Sequence, residues 1–554
     1  MKDLNNKIIF FFKISKNAIL NKYFFLLLGF FIIGFVIRIY NLHDNFFFGY
    51  DQARDFQRLS TINIKNLKLL GPETYIPGLF NSPLYYYFLL PFYVVFHGNP
   101  NAVIILLILF NLSTIFILYI FAAYVFNNKK IGLISTLLWA ISFEQINFSR
   151  HLSNASLMGT FTTIYFLGLG LFFIKKNKYG LLLSIVGLSL AVHMNIYLIY
   201  LAILYPILYF IYQPKLTIKT IIMYGAIFSG LLSTFIVAEI KFKFMGIKSL
   251  LLYASSQQVA SVSIIDNVSN FIQKYTETIY YSFFSINYFW AFLFFIFLVY
   301  FSSKMFPKKT FLFLIICSFS TLPLFSYKSS ILETAIINSS IFGIITIMIA
   351  SGTYYFLRRK FTFIIGILFL GAIIFSNFNL YFKDNFNFIN RLSFQPMILK
   401  EEKQALDYIY QSSNDKQFSV CAITNPLFVN TIWSYLFYWY GKVKYSYLPT
   451  WSGQKQYYIE SLIPYDNSHF QTRYLIVEPM IGIPDIAKKA TIYSEDQISI
   501  LEDEKKFGEI IIQKRKLEKN KLLLSDTQKL TPEEITSIKI TQKIDPRYTC
   551  FIDY

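Results

Sequence analysis

Three charged side chains in a charge-poor stretch raise the chemical question. Asp51, Arg54 and Asp55 lie in the run Gly49-Tyr50-Asp51-Gln52-Ala53-Arg54-Asp55-Phe56, and on a helix their i, i+3 and i+4 spacing places all three on one face. A guanidinium beside a carboxylate favours its ionised form, which a general base needs if it is to take a proton from a hydroxyl group. The same cluster also fits a juxtamembrane ion pair that only anchors a helix end. Further cations and imidazoles recur at polar breaks between apolar stretches: Arg150 and His151, then His193 with Asn195, then Lys328 with Glu333. A base surrounded by several cations suits the departure of a phosphate, because arginine and lysine stabilise the charge that grows on it. Plainer roles compete at each position. Arg150 can snorkel to lipid head groups, and a lone histidine in an apolar hairpin is commonly a hydrogen-bonded core residue.

The elements that must position these residues are membrane spans. Of the 554 residues 55% are hydrophobic and only 15% charged, with a mean hydropathy of +0.47. That is too apolar for a soluble chain of this size, and apolar runs of about 20 residues recur along it. The net charge of +20 does not indicate nucleic acid, because the basic residues sit in short turns between apolar runs, the positive-inside pattern. Lysines precede the first apolar run, and no small-residue cleavage site follows residues 24–36, so it reads as an uncleaved span. Cys317, Cys421 and Cys550 show no metal-binding spacing; a Cys421 to Cys550 disulfide and two free thiols both remain open.

The basic turns at Lys129-Lys130, Lys175-Lys176, Lys215 with Lys219, Lys308-Lys309 and Arg358-Arg359-Lys360 fix the parity of the spans if each is cytoplasmic. Single crossings are expected at 23–40, 101–126, 131–148, 155–174, 220–240, 286–302, 310–325, 340–357 and 361–382. The stretch 180–212 has basic turns on both sides and, at about 50 Å as a helix, fits two short crossings broken near His193-Met194-Asn195. The expected fold class is therefore mainly α: a polytopic bundle of about eleven spans with a small extracytoplasmic α/β domain at the C-terminus. Its expected parts are a cytoplasmic segment 1–22, a membrane domain 23–382 with a first external loop 41–100, and the external domain 383–554. In that loop, Gly71-Pro72 and Pro77-Gly78 mark turns that deliver a short apolar segment, 83–96, to the membrane surface. Its tyrosines, Tyr85 foremost, suit an interfacial belt and also stacking on a sugar or lining of an isoprenoid groove.

An acidic motif in the first external loop, a Gly-Pro turn, a Pro83-Leu84-Tyr85-Tyr86 helix and a Ser149-Arg150 tip together resemble the bacterial membrane glycosyltransferases of the GT-C superfamily. The nearest groups in pattern are the dolichyl-phosphate-mannose mannosyltransferases, the aminoarabinose transferases and the Rgt-type enzymes. The resemblance implies inverting transfer of one sugar from a polyprenyl-phosphate donor to a glycan, lipid or protein acceptor on the external face of the bacterial cell membrane. It implies that Asp51 is the base and that Ser149-Arg150 meets the donor phosphate. Many relatives carry an acidic residue directly after the base, whereas this chain has Gln52, with Asp55 as the nearby second carboxylate. The expected catalytic residues are thus Asp51 and Asp55, with Arg54, Arg150, His151, His193, Lys328 and Tyr85 around donor and phosphate. No cofactor is required for a monophosphate leaving group if cations are present; a divalent ion held by Asp51 and Asp55 is the open alternative. Three rivals compete: a polyprenyl-linked glycan flippase or transporter, an oligosaccharide ligase or polymerase, and a non-catalytic scaffold in which the Asp51 cluster is a salt bridge. A flippase calls for charge at mid-membrane, whereas the charges singled out here cluster at the external tips.

Overall fold

The computed structural model describes residues 22–256, 264–322, 339–383, 396–414, 417–427, 429–452, 461–465 and 471–517. The chain divides into two compact units: Met1–Tyr40, Leu67–Phe92 and Ala102–Phe388 in the first, Asn41–Asn66, Tyr93–Asn101 and Ile389–Tyr554 in the second. Two pieces of the stretch expected as the first external loop, 41–66 and 93–101, thus pack with the C-terminal part of the chain.

The first unit is helical. Among the described residues four helices are long and apolar enough to cross a membrane: Lys22–Ile39, Pro100–Val125, Asn154–Ile174 and Lys360–Lys383. Two bent pairs, Lys129–Ile141 with Phe143–Arg150 (55°) and Ile218–Leu231 with Ser233–Lys241 (60°), raise the number to six. The expected count of about eleven is not confirmed among the described residues, where several helices are short. Lys178–Met194 has 17 residues, and Tyr288–Ser303 and Phe342–Leu357 have 16 each. At 1.5 Å per residue such helices reach about 25 Å, short of the ~30 Å of a bilayer core. The expected single crossing at 131–148 is broken at Ser142, and the stretch at 180–212 breaks after Met194 into a 3-10 segment, Ile196–Ile203.

These breaks are written in polar residues. A helix start leaves backbone N–H groups without partners, and a side-chain oxygen just before it can accept from them. Asn128, Asn177, Asn195 and Asn287 each do so, as do Ser142 and Thr217. At Ser142 and Asn195, which interrupt apolar runs and do not lie in basic turns, the cap serves backbone that water does not reach.

The second unit carries a five-stranded sheet of order β2-β1-β3-β5-β4. Its strands are β1 (Ser419–Ile423), β2 (Thr450–Trp451), β3 (Thr472–Val477), β4 (Ser499–Phe507) and β5 (Ile510–Leu517). β1 pairs in parallel with β2 and β3, while β5 pairs antiparallel with β3 and β4. Every residue of β1 is buried, as expected for a parallel strand covered on both faces. Cys421, Ile423, Leu475 and Val477 form one core with Ile492 of the helix Asp485–Ile498. Cys421 is disulfide-bonded, Cys317 is a buried free thiol, and Cys550 lies outside the described residues.

Two carboxyl groups are buried where β1 and β3 end. Glu478 follows β3, donates its backbone N–H to the Ile423 carbonyl (3.0 Å), and accepts from the Asn425 N–H (2.6 Å) and Trp433 Nε1 (2.8 Å). Glu402, in the first turns of the helix Leu399–Ser412, has no hydrogen-bond partner on either carboxyl oxygen among the described residues. Burial pushes Glu478 up to about 8, against the pull of its two donors; burial first, then Glu478 and Glu401, push Glu402 well above the carboxylate range. Both groups are held neutral in the fold, so their contribution is fully present below the unfolded value near 4.5 and is lost as pH rises through the folded value. Between about pH 5 and pH 8 the native protein is expected to lose up to about 1.4 kcal/mol of stability per pH unit for each such group. Glu402→Gln is expected to flatten that decline and to melt above the wild type at alkaline pH, with little change near pH 5, as thermal unfolding in detergent across this range would show.

Candidate active site

The charged cluster of the second unit sits on the helix Tyr50–Thr61. Its start is fixed locally: Gly49 is the N-cap, and its N–H donates to Gln52 Oε1 at 3.1 Å. Gln52 is buried (1% exposed) and serves the helix end, so the departure from an acidic residue there has a structural use. The strand-like residues before the helix are tied down by Phe48 N–H to the Met397 carbonyl (3.1 Å) and Leu399 N–H to the Phe46 carbonyl (3.0 Å). Phe56 then packs edge-on against Phe48, Tyr93 and Tyr435, with ring centroids 5.9, 5.5 and 5.8 Å apart.

On this anchored helix Arg54 joins the two carboxylates. Its Nη1 lies 2.7 Å from Asp51 Oδ1, while Nε and Nη2 donate to Asp55 Oδ1 at 3.1 and 3.0 Å. The i, i+3, i+4 spacing therefore does bring the three onto one face. Burial separates their roles: the side chains of Arg54 and Asp55 are 8% and 4% exposed, whereas that of Asp51 is 64% exposed. Asp55 and Arg54 form a buried pair, and Asp51 is the carboxylate open to solvent. No group of three or more His, Cys, Asp or Glu side chains comes together among the described residues.

The first unit holds Arg150, His151, His193 and Tyr85. Arg150 ends the short helix Phe143–Arg150, all eight of whose residues are buried. Its Nη1 donates to the Tyr40 carbonyl at 2.9 Å, and at 5% exposure it is no snorkelling side chain. His151 caps the same helix, and its carbonyl accepts from Ser156 Oγ. Asn154 Nδ2 donates to the Met194 carbonyl, which joins this tip to the break after Met194. Asn81 Oδ1 accepts from Ile196 N–H at 3.0 Å, so residues of the first loop meet the same break. His193 is stacked on Phe235 (5.3 Å, 17°) and hydrogen-bonded to the Leu231 carbonyl (2.8 Å), the surroundings of a core histidine. Tyr85 is fully buried beside Tyr86. Lys328 lies outside the described residues.

What orients the Arg150 helix is a set of residues the sequence reading passed over. The helix Lys129–Ile141 ends inside the apolar layer, and its last carbonyls need donors. Arg38, fully buried near the end of Lys22–Ile39, supplies them from Nη1 to Ala140 (2.7 Å) and Nη2 to Trp139 (3.3 Å). The Tyr381 hydroxyl donates to the Ile141 carbonyl. Beyond the 55° bend, Phe143 N–H donates to Asn377 Oδ1 at 2.7 Å and Gln145 N–H to Ser142 Oγ at 3.3 Å. Arg38 Nη2 also reaches Asn111 Oδ1 (3.2 Å), whose amide donates to Gln145 Oε1 (3.3 Å). Gly34 permits the approach, since a Cβ there would stand 2.8 Å from Leu112 Cδ2 and 3.3 Å from the Ala140 carbonyl. A guanidinium at a helix C-terminus also meets the negative end of the helix dipole. The signal that could have found Arg38 is the cation itself within the apolar run Ile37-Arg38-Ile39. Arg38→Leu should leave two carbonyls unpaired in an apolar layer and destabilise the protein by about 2–4 kcal/mol; Arg38→Lys should recover part of the loss in the same detergent melt.

Comparison with known proteins covers parts of both units. Residues 81–239 match the family model described as dolichyl-phosphate-mannose-protein mannosyltransferase; the segment includes Tyr85, Arg150, His151 and His193 and leaves out Asp51. No curated protein matches the chain. Among solved structures, ArnT from Cupriavidus metallidurans in the apo state aligns with a TM-score of 0.57 at 9% identity, over 88% of this chain and 97% of that one. An oligosaccharyltransferase of Archaeoglobus fulgidus tethered with an acceptor peptide is less similar, with a TM-score of 0.45 at 12% identity over 75% of this chain and 64% of that one. The likeness to ArnT is one of fold, and it extends over nearly the whole chain. By that fold and by the segment 81–239, the chain is similar to the GT-C superfamily of membrane glycosyltransferases.

Proposed function

We propose that the protein is an inverting glycosyltransferase that moves one sugar from a polyprenyl-phosphate donor to an acceptor hydroxyl on the external face of the cell membrane. The observation that carries the mechanism is an accessible Asp51 held by Arg54, which also pairs with the buried Asp55. The ArnT-like fold and the mannosyltransferase-like segment support the class of reaction.

In this reading the acceptor oxygen attacks the anomeric carbon from the side opposite the phosphate. As the new glycosidic bond forms, Asp51 takes the hydroxyl proton, and the bond from the anomeric carbon to the phosphate oxygen breaks. The polyprenyl phosphate leaves with the electron pair, and Arg150 stabilises its growing charge. Arg54 fixes the direction of the Asp51 carboxylate, and Asp55 fixes Arg54. A guanidinium fits that place better than an ammonium, because its planar fork serves two carboxylates at once.

Membranes carrying Asp51→Asn should lose about 10²- to 10⁴-fold in sugar transfer from a lipid-linked donor; near-normal transfer at normal expression would remove Asp51 as the base. Positive charge at the phosphate comes from guanidinium groups in this reading, so EDTA should leave the rate unchanged. A loss of transfer on chelation, restored by a divalent cation, would instead put a metal ion at Asp51 and Asp55. Mass spectrometry of lipid-linked sugars and envelope glycans in a deletion strain would identify sugar and acceptor from the modification that disappears.

A further inference from the structure

The second unit exposes apolar and basic side chains beside the point where its chain enters a membrane-length helix. Its piece Tyr93–Asn101 leads directly into the helix starting at Pro100, which is long and apolar enough to cross a bilayer. Just before that start, Tyr435 Oη donates to the Gly98 carbonyl at 2.8 Å and Trp439 Nε1 to the His97 carbonyl at 3.0 Å. Gly98 is two residues from Pro100, a reach of about 7 Å. The aromatic turn 437–441 is thereby tied to the residues just before that helix.

The side chains exposed there suit a boundary between water and lipid. Val94, Val95 and Phe96 are 61%, 67% and 42% exposed, an unusual run of uncovered apolar residues. Val443 is 80% exposed. Tyr438 is exposed, and Lys442 Nζ lies over its ring at 5.4 Å from the centroid. Lys444 is exposed as well, its ammonium 2.8 Å from Asp407. Tyrosine and tryptophan favour the head-group zone, where one end of the ring is apolar and the other wet, and lysines beside them attract anionic lipid.

We propose that residues 438–444, with 94–96 beside them, form a foot by which the second unit docks on a bilayer containing anionic phospholipid. Lys442 and Lys444 meet head-group phosphates, Tyr438 and Trp439 lie among the head groups, and Val443 reaches the acyl boundary. Docking of this kind is independent of the transfer reaction and would hold for any activity of the protein.

The test uses the full chain reconstituted in vesicles of phosphatidylcholine alone, or of phosphatidylcholine with an equal part of phosphatidylglycerol, each with and without acyl-brominated lipid. The fluorescence of Trp439 is isolated as wild type minus Trp439→Phe. Bromine should quench this component in the anionic vesicles, and the joint change Lys442→Glu with Lys444→Glu should lower the quenching at least about twofold. Lys442→Gln, a milder change at an exposed position, gives the same comparison if the double variant does not fold. A Trp439 component untouched by bromine in either vesicle would overturn the foot. Quenching that is equal in both vesicles and indifferent to the lysines would overturn its recognition of anionic lipid.

Discussion

Backbone groups freed at a helix break inside an apolar layer must find partners there, because water does not reach them, and this constraint shapes the first unit. Arg38 is its most telling consequence. A cation that would be expensive in lipid is retained, fully buried, because the carbonyls of Trp139 and Ala140 need donors. With Tyr381 on one side of the bend and Asn377 on the other, the break at Ser142 becomes a fixed angle. The short helix that follows carries Arg150, and its direction is inherited from that angle. Asn195 obeys the same rule more modestly at the break after Met194.

The second unit meets a different problem, which is to hold a short polar helix still on a soluble surface. Tyr50–Thr61 has few apolar residues of its own and is positioned by Phe56 and by the hydrogen bonds of the residues before it. The same patch of chain supplies the floor: Trp433 binds the buried Glu478, and Tyr435, one half-turn on, packs against Phe48 and Phe56. Two buried carboxyl groups pushed up by burial and the Asp51, Arg54, Asp55 cluster therefore belong to one unit. Asp51 and Asp55 share the cation Arg54, while Glu402 has no cation among the influences acting on it.

Arg54 also explains how two carboxylates held by one guanidinium, one three residues before it and one directly after it, can differ in exposure. Asp55 points to the packed side and is covered; Asp51, one turn earlier, remains open. Gln52 stands between them in sequence and is spent on the helix start. The open and the covered members of the cluster are thus separated by the packing face of the helix.

The residues alone determined the membrane class, the helical break near His193-Met194-Asn195, the α/β character of the C-terminal part and the shared face of Asp51, Arg54 and Asp55. Those features are local: hydropathy over twenty residues, side-chain caps, and a helical period all act within a few turns of chain. Other features depended on partners far away in sequence, which no local pattern contains. The bend at Ser142 needs Asn377, more than two hundred residues on, so an apolar run that looks like one span is two helices. The core setting of His193 needs Phe235, and the burial that divides Asp55 from Asp51 follows from what packs on the loop helix. The loop helix packing with the C-terminal part of the chain was likewise invisible, because residues 41–66 and 389–554 meet only when the chain has folded. Composition and spacing supplied the charges and their order, and tertiary packing decided which of them a substrate can reach.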